Sequence, residues 1–133
     1  MKSDIGHIGI NLSNSKKSFR FWKDIFYYLG FKVTEDGRHF DASDGRSYFC
    51  INVTGNDYKK KGFHRKRTGL NHVAFRVASR KLVDKFVSGF LVPRNIRPLY
   101  GGSKMYPEYA KGYYAVYFED PDRIKIEVAY EPL

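Results

Sequence analysis

Two stretches of the sequence, GHIGINL at residues 6–12 and NHVAFRV at residues 71–77, decide the fold. Each has a histidine as its second residue, and each continues from an apolar strand pattern into a polar turn and an amphipathic segment. His7 and His72 are 65 positions apart, about half of the 133-residue chain. Self-similarity at such an offset predicts that one structural unit occurs twice.

An amphipathic helix is predicted after each of these strands. Residues 15–29 carry large apolar side chains at spacings of three and four, which places them on one face: Phe19, Trp22, Phe26 and Leu29. Residues 80–91 repeat the pattern with Leu82, Val83, Phe86, Val87 and Phe90. Ser13 or Asn14 is the expected cap of the first helix and Ser79 that of the second, because their side-chain oxygens can accept a free backbone N–H.

Three short strands are predicted after each helix. In the first half they span residues 31–34, 39–42 and 47–53, with tight-turn signals at Asp36-Gly37 and Asp44-Gly45. In the second half they span residues 96–100, 113–119 and 124–130, with the last turn at Asp120-Pro121-Asp122. The sequence therefore predicts an α+β protein of two tandem βαβββ modules that form curled mixed sheets.

One domain, residues 1–133, should contain both modules, because a chain of this length usually builds one core. We place the first module at residues 1–60, a basic connector at 61–67 and the second module at 68–133. Residues 101–112 form a longer loop for which the first half shows no counterpart. Long loops on a rigid scaffold often carry binding function.

The composition excludes several classes of protein. Hydrophobic residues make up 42% of the chain, which is too many for a disordered protein, and no apolar run is long enough to cross a bilayer. The single Cys50 excludes a disulfide framework, and the N-terminus lacks a signal-peptide pattern. We therefore expect a cytoplasmic protein without a membrane partner. The net charge of +10 attracts anions, but no nucleic-acid recognition motif accompanies it, so we expect no nucleic-acid partner.

The opening-strand histidines and the closing segment YYAVYFEDPDRIKIEVAYEP, residues 113–132, resemble the vicinal oxygen chelate superfamily. That superfamily includes glyoxalase I, bleomycin- and fosfomycin-resistance proteins and extradiol dioxygenases. The resemblance extends over residues 6–132 and implies a glyoxalase-like fold, a homodimer and metal ligands on the opening and closing strands: His7, His72 and Glu127. Two imidazoles and a carboxylate suit Zn, Ni, Fe, Mn or Co.

The strand around Glu127 supports a special role without the resemblance. Side chains two apart on a strand share a face, so Lys125, Glu127 and Ala129 point one way, while apolar side chains point the other. A carboxylate in such a core-like strand needs a partner for its charge. Glu127 is therefore a candidate metal ligand and, alternatively, the catalytic base.

The first half departs from the full ligand pattern. Alignment of residues 46–51 with residues 123–128 places Cys50 opposite Glu127, whereas a slip of two residues would place Asn52 there. Either residue could supply a fourth ligand. A lone buried cysteine is more often a small apolar side chain than a ligand.

Tyrosines crowd the long loop and the strand after it, at positions 100, 106, 109, 113 and 114. We take Tyr100, Tyr106, Tyr109 and Tyr114 as substrate-binding candidates, because a phenol ring can stack on an apolar ligand and donate a hydrogen bond. Packing of the loop against the sheet would explain them equally. Arg65, in the basic run His64-Arg65-Lys66-Arg67, could bind a carboxylate or phosphate, or lie in a solvated connector.

These features favour a divalent-metal-dependent enzyme that acts on a small substrate able to chelate the ion through adjacent oxygens. Lyase or isomerase chemistry is the first expectation and dioxygenase chemistry the second. The alternative is a non-catalytic binding or resistance protein of the same fold, which sequesters a small molecule and needs no metal.

Overall fold

The computed structural model of the protein describes residues 1–132, in which two compact units are found: Met1–Gly62 and a second unit that begins at Phe63. The boundary lies inside the stretch assigned to the basic connector, and Leu133, the end of the predicted second module, lies outside the described residues. Within this part of the chain, every helix is too short or too polar to cross a bilayer.

The first unit contains β1 (His7–Leu12), α1 (Lys17–Tyr28), β2 (Lys32–Asp36), β3 (His39–Ser43) and β4 (Tyr48–Val53), followed by a 3₁₀ turn at Asn56–Tyr58. Its sheet has the order β1-β4-β3-β2. β1 and β4 are parallel, whereas the hairpin strands are antiparallel. The first and last strands of the unit are therefore neighbours.

The second unit repeats this topology with β5 (Val73–Arg76), α2 (Arg80–Phe86), β6 (Lys104–Met105), β7 (Tyr114–Glu119) and β8 (Lys125–Tyr130). Its sheet has the order β5-β8-β7-β6, with β5 and β8 parallel. A π-helical turn at Val87–Leu91 and a 3₁₀ turn at Val92–Arg94 continue α2. Two four-stranded mixed sheets, each with its helix, confirm the predicted tandem βαβββ fold.

The strand predicted at residues 96–100 is wrong. Asn95 and Tyr100, at either end of this segment, have φ angles of 54° and 57°, in the left-handed region that a strand cannot use. The segment makes one hydrogen bond to β7, from the Leu99 N–H to the Tyr117 carbonyl at 2.8 Å. The edge position belongs instead to β6, inside the loop that we considered to have no counterpart.

Predicted capping residues accept backbone hydrogen bonds at the start of both helices. The Asn14 side-chain oxygen accepts hydrogen bonds from the backbone N–H groups of Lys16 and Lys17, at 2.7 and 2.8 Å, just before α1 begins. The Ser79 hydroxyl accepts one from Leu82 N–H at 3.3 Å. The Leu82 side chain itself is exposed, so its predicted inward orientation is wrong.

Each sheet packs its helix against one face. Fully buried aromatic residues fill both contacts: Trp22, Phe26 and Phe40 in the first unit, and Phe86, Phe90 and Phe118 in the second. Burial of one such side chain is worth about 1.5–3 kcal/mol. Because side chains alternate along a strand, every second residue of each sheet points to the other face, away from the helix.

Candidate functional site

In the second unit, the face of the sheet away from α2 carries polar and aromatic side chains. β8 directs Lys125, Glu127 and Ala129 to this face, as predicted from alternation. Glu127 is paired with Ala74 of β5 on one side and Tyr117 of β7 on the other. The closing strand therefore holds the carboxylate at the centre of the sheet.

Glu127 is the most buried acidic residue of this face, with 1% of its surface exposed. Its Oε1 accepts a hydrogen bond from the Tyr113 hydroxyl at 2.5 Å, and its Oε2 lies 3.0 Å from His72 Nε2. The Tyr117 hydroxyl also donates to this carboxylate. The two tyrosine hydroxyls and the adjacent imidazole thus surround the carboxylate, and the hydroxyl donors supply partners that a buried charge requires.

His72 lies immediately before β5, with its ring held from both sides. Nε2 faces Glu127, while Nδ1 lies 2.7 Å from Asn71 Oδ1. The imidazole is about one-third exposed, so one side of it remains accessible. Asn71 therefore orients the ring, and the orientation directs Nε2 towards the carboxylate.

A cavity of 410 Å³ opens over this pair of side chains. Five tyrosines form most of its wall: Tyr100, Tyr106, Tyr109, Tyr113 and Tyr117. The remaining lining residues are polar or charged: Asn71, His72, Lys125 and Glu127. A mainly aromatic cavity with a few convergent polar groups is typical of small-molecule sites.

The rings pack against one another as well as facing the cavity. Tyr106 stacks on Tyr109 with their centroids 5.5 Å apart and meets Tyr117 edge-on at the same distance. Tyr100 also meets Tyr117 edge-on at 5.5 Å. Such contacts stabilise this arrangement of the rings.

Burial sets the protonation of the inner hydroxyls. It raises the pKa of Tyr113 and of Tyr117 well above the ordinary tyrosine value, and the Glu127 carboxylate raises both further. Both hydroxyls therefore remain protonated near neutral pH and donate to Glu127. Burial likewise raises the pKa of Tyr106, whose buried hydroxyl has no hydrogen-bond partner within residues 1–132.

Two of the sequence-predicted substrate-binding residues lie outside the cavity lining. Tyr114 points to the other face, where its hydroxyl bonds Asp84 Oδ1 at 2.7 Å and Ser103 Oγ at 3.1 Å. Arg65 forms a half-buried ion pair with Glu119. Tyr100, Tyr106 and Tyr109, in contrast, are brought together with His72 and Glu127.

Sequence reasoning missed Tyr117 and left Tyr113 out of the candidate set. A signal was present, because the strands predicted at residues 113–119 and 124–130 pair as an antiparallel hairpin. Pairing them from their short turn places Tyr117 opposite Glu127, and alternation then brings Tyr113 to the same face. The same alternation sends Tyr114 away.

In the first unit, His7 is exposed and stacks on Tyr48, with ring centroids 5.0 Å apart. Gly9, two residues after His7, pairs with Cys50, as Ala74, two residues after His72, pairs with Glu127. The register therefore makes Cys50, and not Asn52, the positional equivalent of Glu127. Burial and the Asp41 carboxylate raise the pKa of the Cys50 thiol.

The donor set of the second unit suits a divalent metal ion. Its two candidate donor atoms, His72 Nε2 and Glu127 Oε2, are 3.0 Å apart, close to the separation of two ligands whose bonds to one ion are each about 2.0–2.2 Å. Tyr113 occupies the other carboxylate oxygen, as outer hydrogen bonds commonly do around metal ligands. Within residues 1–132, no group of three or more His, Cys, Asp or Glu side chains is arranged to hold an ion.

The fold and the site together define a class: tandem βαβββ proteins that have a small-molecule cavity on the sheet. The family model of the Glyoxalase/Bleomycin resistance protein/Dioxygenase superfamily matches residues 4–128. The chain belongs to this superfamily.

Individual relatives agree with this assignment. The uncharacterized protein YqjT of Bacillus subtilis is 33% identical over 123 residues, which cover 92% of this chain and 94% of YqjT. The crystal structure of a presumed glyoxalase from Bacillus halodurans is 32% identical with a TM-score of 0.82, over 96% of this chain and 95% of that one. Lactoylglutathione lyase from Agrobacterium tumefaciens shares the fold, with 18% identity and a TM-score of 0.68 over 97% and 94% of the chains.

Proposed function

We propose that the protein is a divalent-metal-dependent enzyme whose site is the tyrosine-lined cavity over His72 and Glu127. His72 and Glu127 hold the ion, and His7 of the first module supplies a further ligand, within one chain or across a homodimer. The observation that carries the proposal is the buried Glu127 carboxylate, 3.0 Å from an imidazole at a cavity wall. Buried carboxylates with such partners are concentrated at functional sites.

When bound, the ion would act as a Lewis acid that stabilises negative charge on a substrate oxygen. The residues of the chain have separate tasks. Tyr113 and Tyr117 fix the orientation of the Glu127 carboxylate, and Asn71 that of the His72 ring. Alternatively, Glu127 accepts a proton from the substrate, since it is one of the residues that line the cavity.

The tyrosine wall binds the substrate and excludes water from the reacting end. Tyr106 offers a buried hydroxyl with no hydrogen-bond partner within residues 1–132, and polar groups of this kind in native structures commonly serve a ligand or a bound water. The substrate is a small molecule, since the cavity has a volume of 410 Å³. The names of two relatives, a presumed glyoxalase and lactoylglutathione lyase, favour lyase or isomerase chemistry over dioxygenase chemistry.

Metal content tests the proposal directly. Protein freed of its affinity tag is loaded separately with Ni, Mn, Zn, Co and Fe(II), dialysed and assayed for metal per chain. We expect one equivalent of at least one metal in the wild type, and its loss in His72→Ala and in Glu127→Gln. His39→Ala is the matched control, because His39 lies on the β3 hairpin, outside the cavity lining, and should retain the metal.

The same assay on His7→Ala tests the contribution of the first module, and circular dichroism verifies that each variant folds. A wild type without metal, or variants that all retain it, would contradict the proposal. Tight binding of an aromatic ligand by metal-free protein would then favour the non-catalytic binding protein. Sedimentation of the wild type and His7→Ala tests the homodimer.

A further inference from the structure

We infer that the ligand of this cavity is a planar aromatic or conjugated monocarboxylate, with its carboxylate on Lys125 and its apolar body between the tyrosine rings. The inference rests on the proposed function only in that both concern the same cavity. It concerns a substrate class and a specificity-determining residue, and it requires no metal.

Lys125 is the one lysine of the cavity lining, and tyrosines hold its side chain in place. Its Nζ lies 5.2 Å from the centre of the Tyr117 ring and 5.7 Å from that of Tyr100, and 3.5 Å from the Tyr100 hydroxyl oxygen. An ammonium group over a ring face is attracted by the ring quadrupole. The two rings therefore hold the ammonium group of Lys125 against the aromatic wall of the cavity.

The carboxylate that could neutralise Lys125 is occupied elsewhere. Glu119 of β7 is paired with Lys125 across the hairpin, which places both side chains on the same face. One oxygen of Glu119 binds Arg65, however, and the other lies 3.3 Å from Arg123 Nε. Within residues 1–132, the ammonium of Lys125 therefore forms no ion pair, and it can accept an anion from outside.

The charges of the cavity also orient the ligand. Lys125 and Glu127 are two residues apart on one face of β8, roughly 7 Å along the strand. The Glu127 carboxylate repels an anionic group, so the acid end of the ligand lies at Lys125 and an uncharged end faces Glu127. A second acidic group at that end would be repelled by Glu127.

The wall favours a flat body between these two ends. The Tyr106 and Tyr109 rings are stacked within 7° of parallel, while Tyr117 and Tyr113 meet Tyr106 nearly at right angles. Offset stacking and edge-to-face contacts are both available to an inserted ring. A flexible aliphatic acid would gain less from the same wall.

The test compares trans-cinnamate with its neutral, nearly isosteric amide, cinnamamide, by isothermal titration calorimetry. Chelator-treated protein is used, so that a bound metal cannot produce a preference for the acid. We expect the wild type to prefer cinnamate by roughly tenfold or more, as a hydrogen bond to a charged group provides. The preference should vanish in Lys125→Met and persist in Lys125→Arg.

Lys81→Met is the matched control, because Lys81 is an exposed lysine of α2 and its loss changes the net charge equally. It should keep the preference, which separates Lys125 from the general positive charge of the chain. Equal binding of acid and amide by the wild type, a preference that survives Lys125→Met, or no binding of either probe at millimolar concentration would overturn the inference. None of these results depends on metal binding, so this inference and the proposed function fail separately.

Discussion

The two βαβββ units share a topology but differ in what the sheet carries on the face away from the helix. In the second unit this face bears Tyr117, Lys125 and Glu127 over a cavity, whereas the register-equivalent position to Glu127 in the first unit is Cys50. Beside Cys50 lies Asp41, where the second unit has Tyr117 beside Glu127. The helix-facing side therefore specifies the fold, and the opposite side is free to specify the chemistry.

Since the helix-facing side specifies the fold in both units, truncation of a core side chain should lower the stability similarly in either unit. Trp22→Ala in the first unit and Phe86→Ala in the second each remove a side chain that is at most 1% exposed. We expect each to lower the free energy of unfolding by about 3–5 kcal/mol, through lost burial and the cavity left behind. Denaturant titration measures both values, and a large loss in only one unit would contradict the equivalence.

On the face that carries the site, removal of a single hydroxyl should already lower the stability. Tyr113→Phe deletes the hydroxyl that donates to Glu127 and leaves a buried carboxylate oxygen with fewer partners. The free energy of unfolding should fall by about 1–2 kcal/mol. Tyr109→Phe is the control, because that ring lines the same cavity but is 61% exposed, and it should change stability little. Equal effects of the two substitutions would argue against a supporting role of Tyr113.

The closing hairpins of the two units use different residues in the left-handed region. Gly45 has a φ of 96° before β4, whereas Arg123 has a φ of 66° before β8. A residue with a Cβ is strained there by about 1–2 kcal/mol. Arg123→Gly removes this strain but also loses the contact with Glu119, so the free energy of unfolding should rise by up to about 1 kcal/mol. Gly45→Ala introduces the strain and should lower the free energy of unfolding by a similar amount.

Thermal unfolding of these two variants, compared with the wild type, shows whether each substitution raises or lowers the stability. Arg123→Gly also frees one oxygen of Glu119. Destabilisation by both substitutions would show that the Arg123 side chain contributes more than its backbone strain removes.

The smallest effect concerns the reactivity of Cys50, the lone cysteine of the chain. Its pKa is raised, chiefly by burial and then by Asp41. Because the thiolate is the reactive form, the pH midpoint for alkylation by iodoacetamide should lie higher in the folded protein than in the same chain unfolded in urea. Asp41→Asn should lower the midpoint only partly, and coincident midpoints for folded and unfolded chains would refute the expectation.

The sequence predicted the repeated architecture because apolar periodicity and turn residues are local signals. The strand at residues 96–100 failed for a tertiary reason: Tyr100 adopts a left-handed backbone conformation, which its residue type does not announce. Residues 104–105 pair with β7 instead, and two residues are too few to show a strand pattern.

The candidate site was predictable as far as strand alternation extends. Alternation brought Lys125 and Glu127 to one face, and the repeat singled out His72. To predict Tyr117 as a site residue, the register of the hairpin is needed as well. To predict the contact of Asn71, the rotation of the His72 ring is needed, and this rotation depends on packing. The lack of an ion pair at Lys125 within residues 1–132 could not be foreseen, since it depends on where Arg65 and Arg123 direct their guanidinium groups.

The π-helical turn at Val87–Leu91 indicates how the second unit tolerates a change of length. A wider turn of this kind holds one residue more than the α-helical ladder and is commonly the trace of a single inserted amino acid. Here it keeps Phe90 stacked on Phe86, with centroids 5.0 Å apart and both rings buried. Deleting one residue from this turn would let the α-helical hydrogen-bond ladder close again, so the segment that follows would keep its register on the sheet.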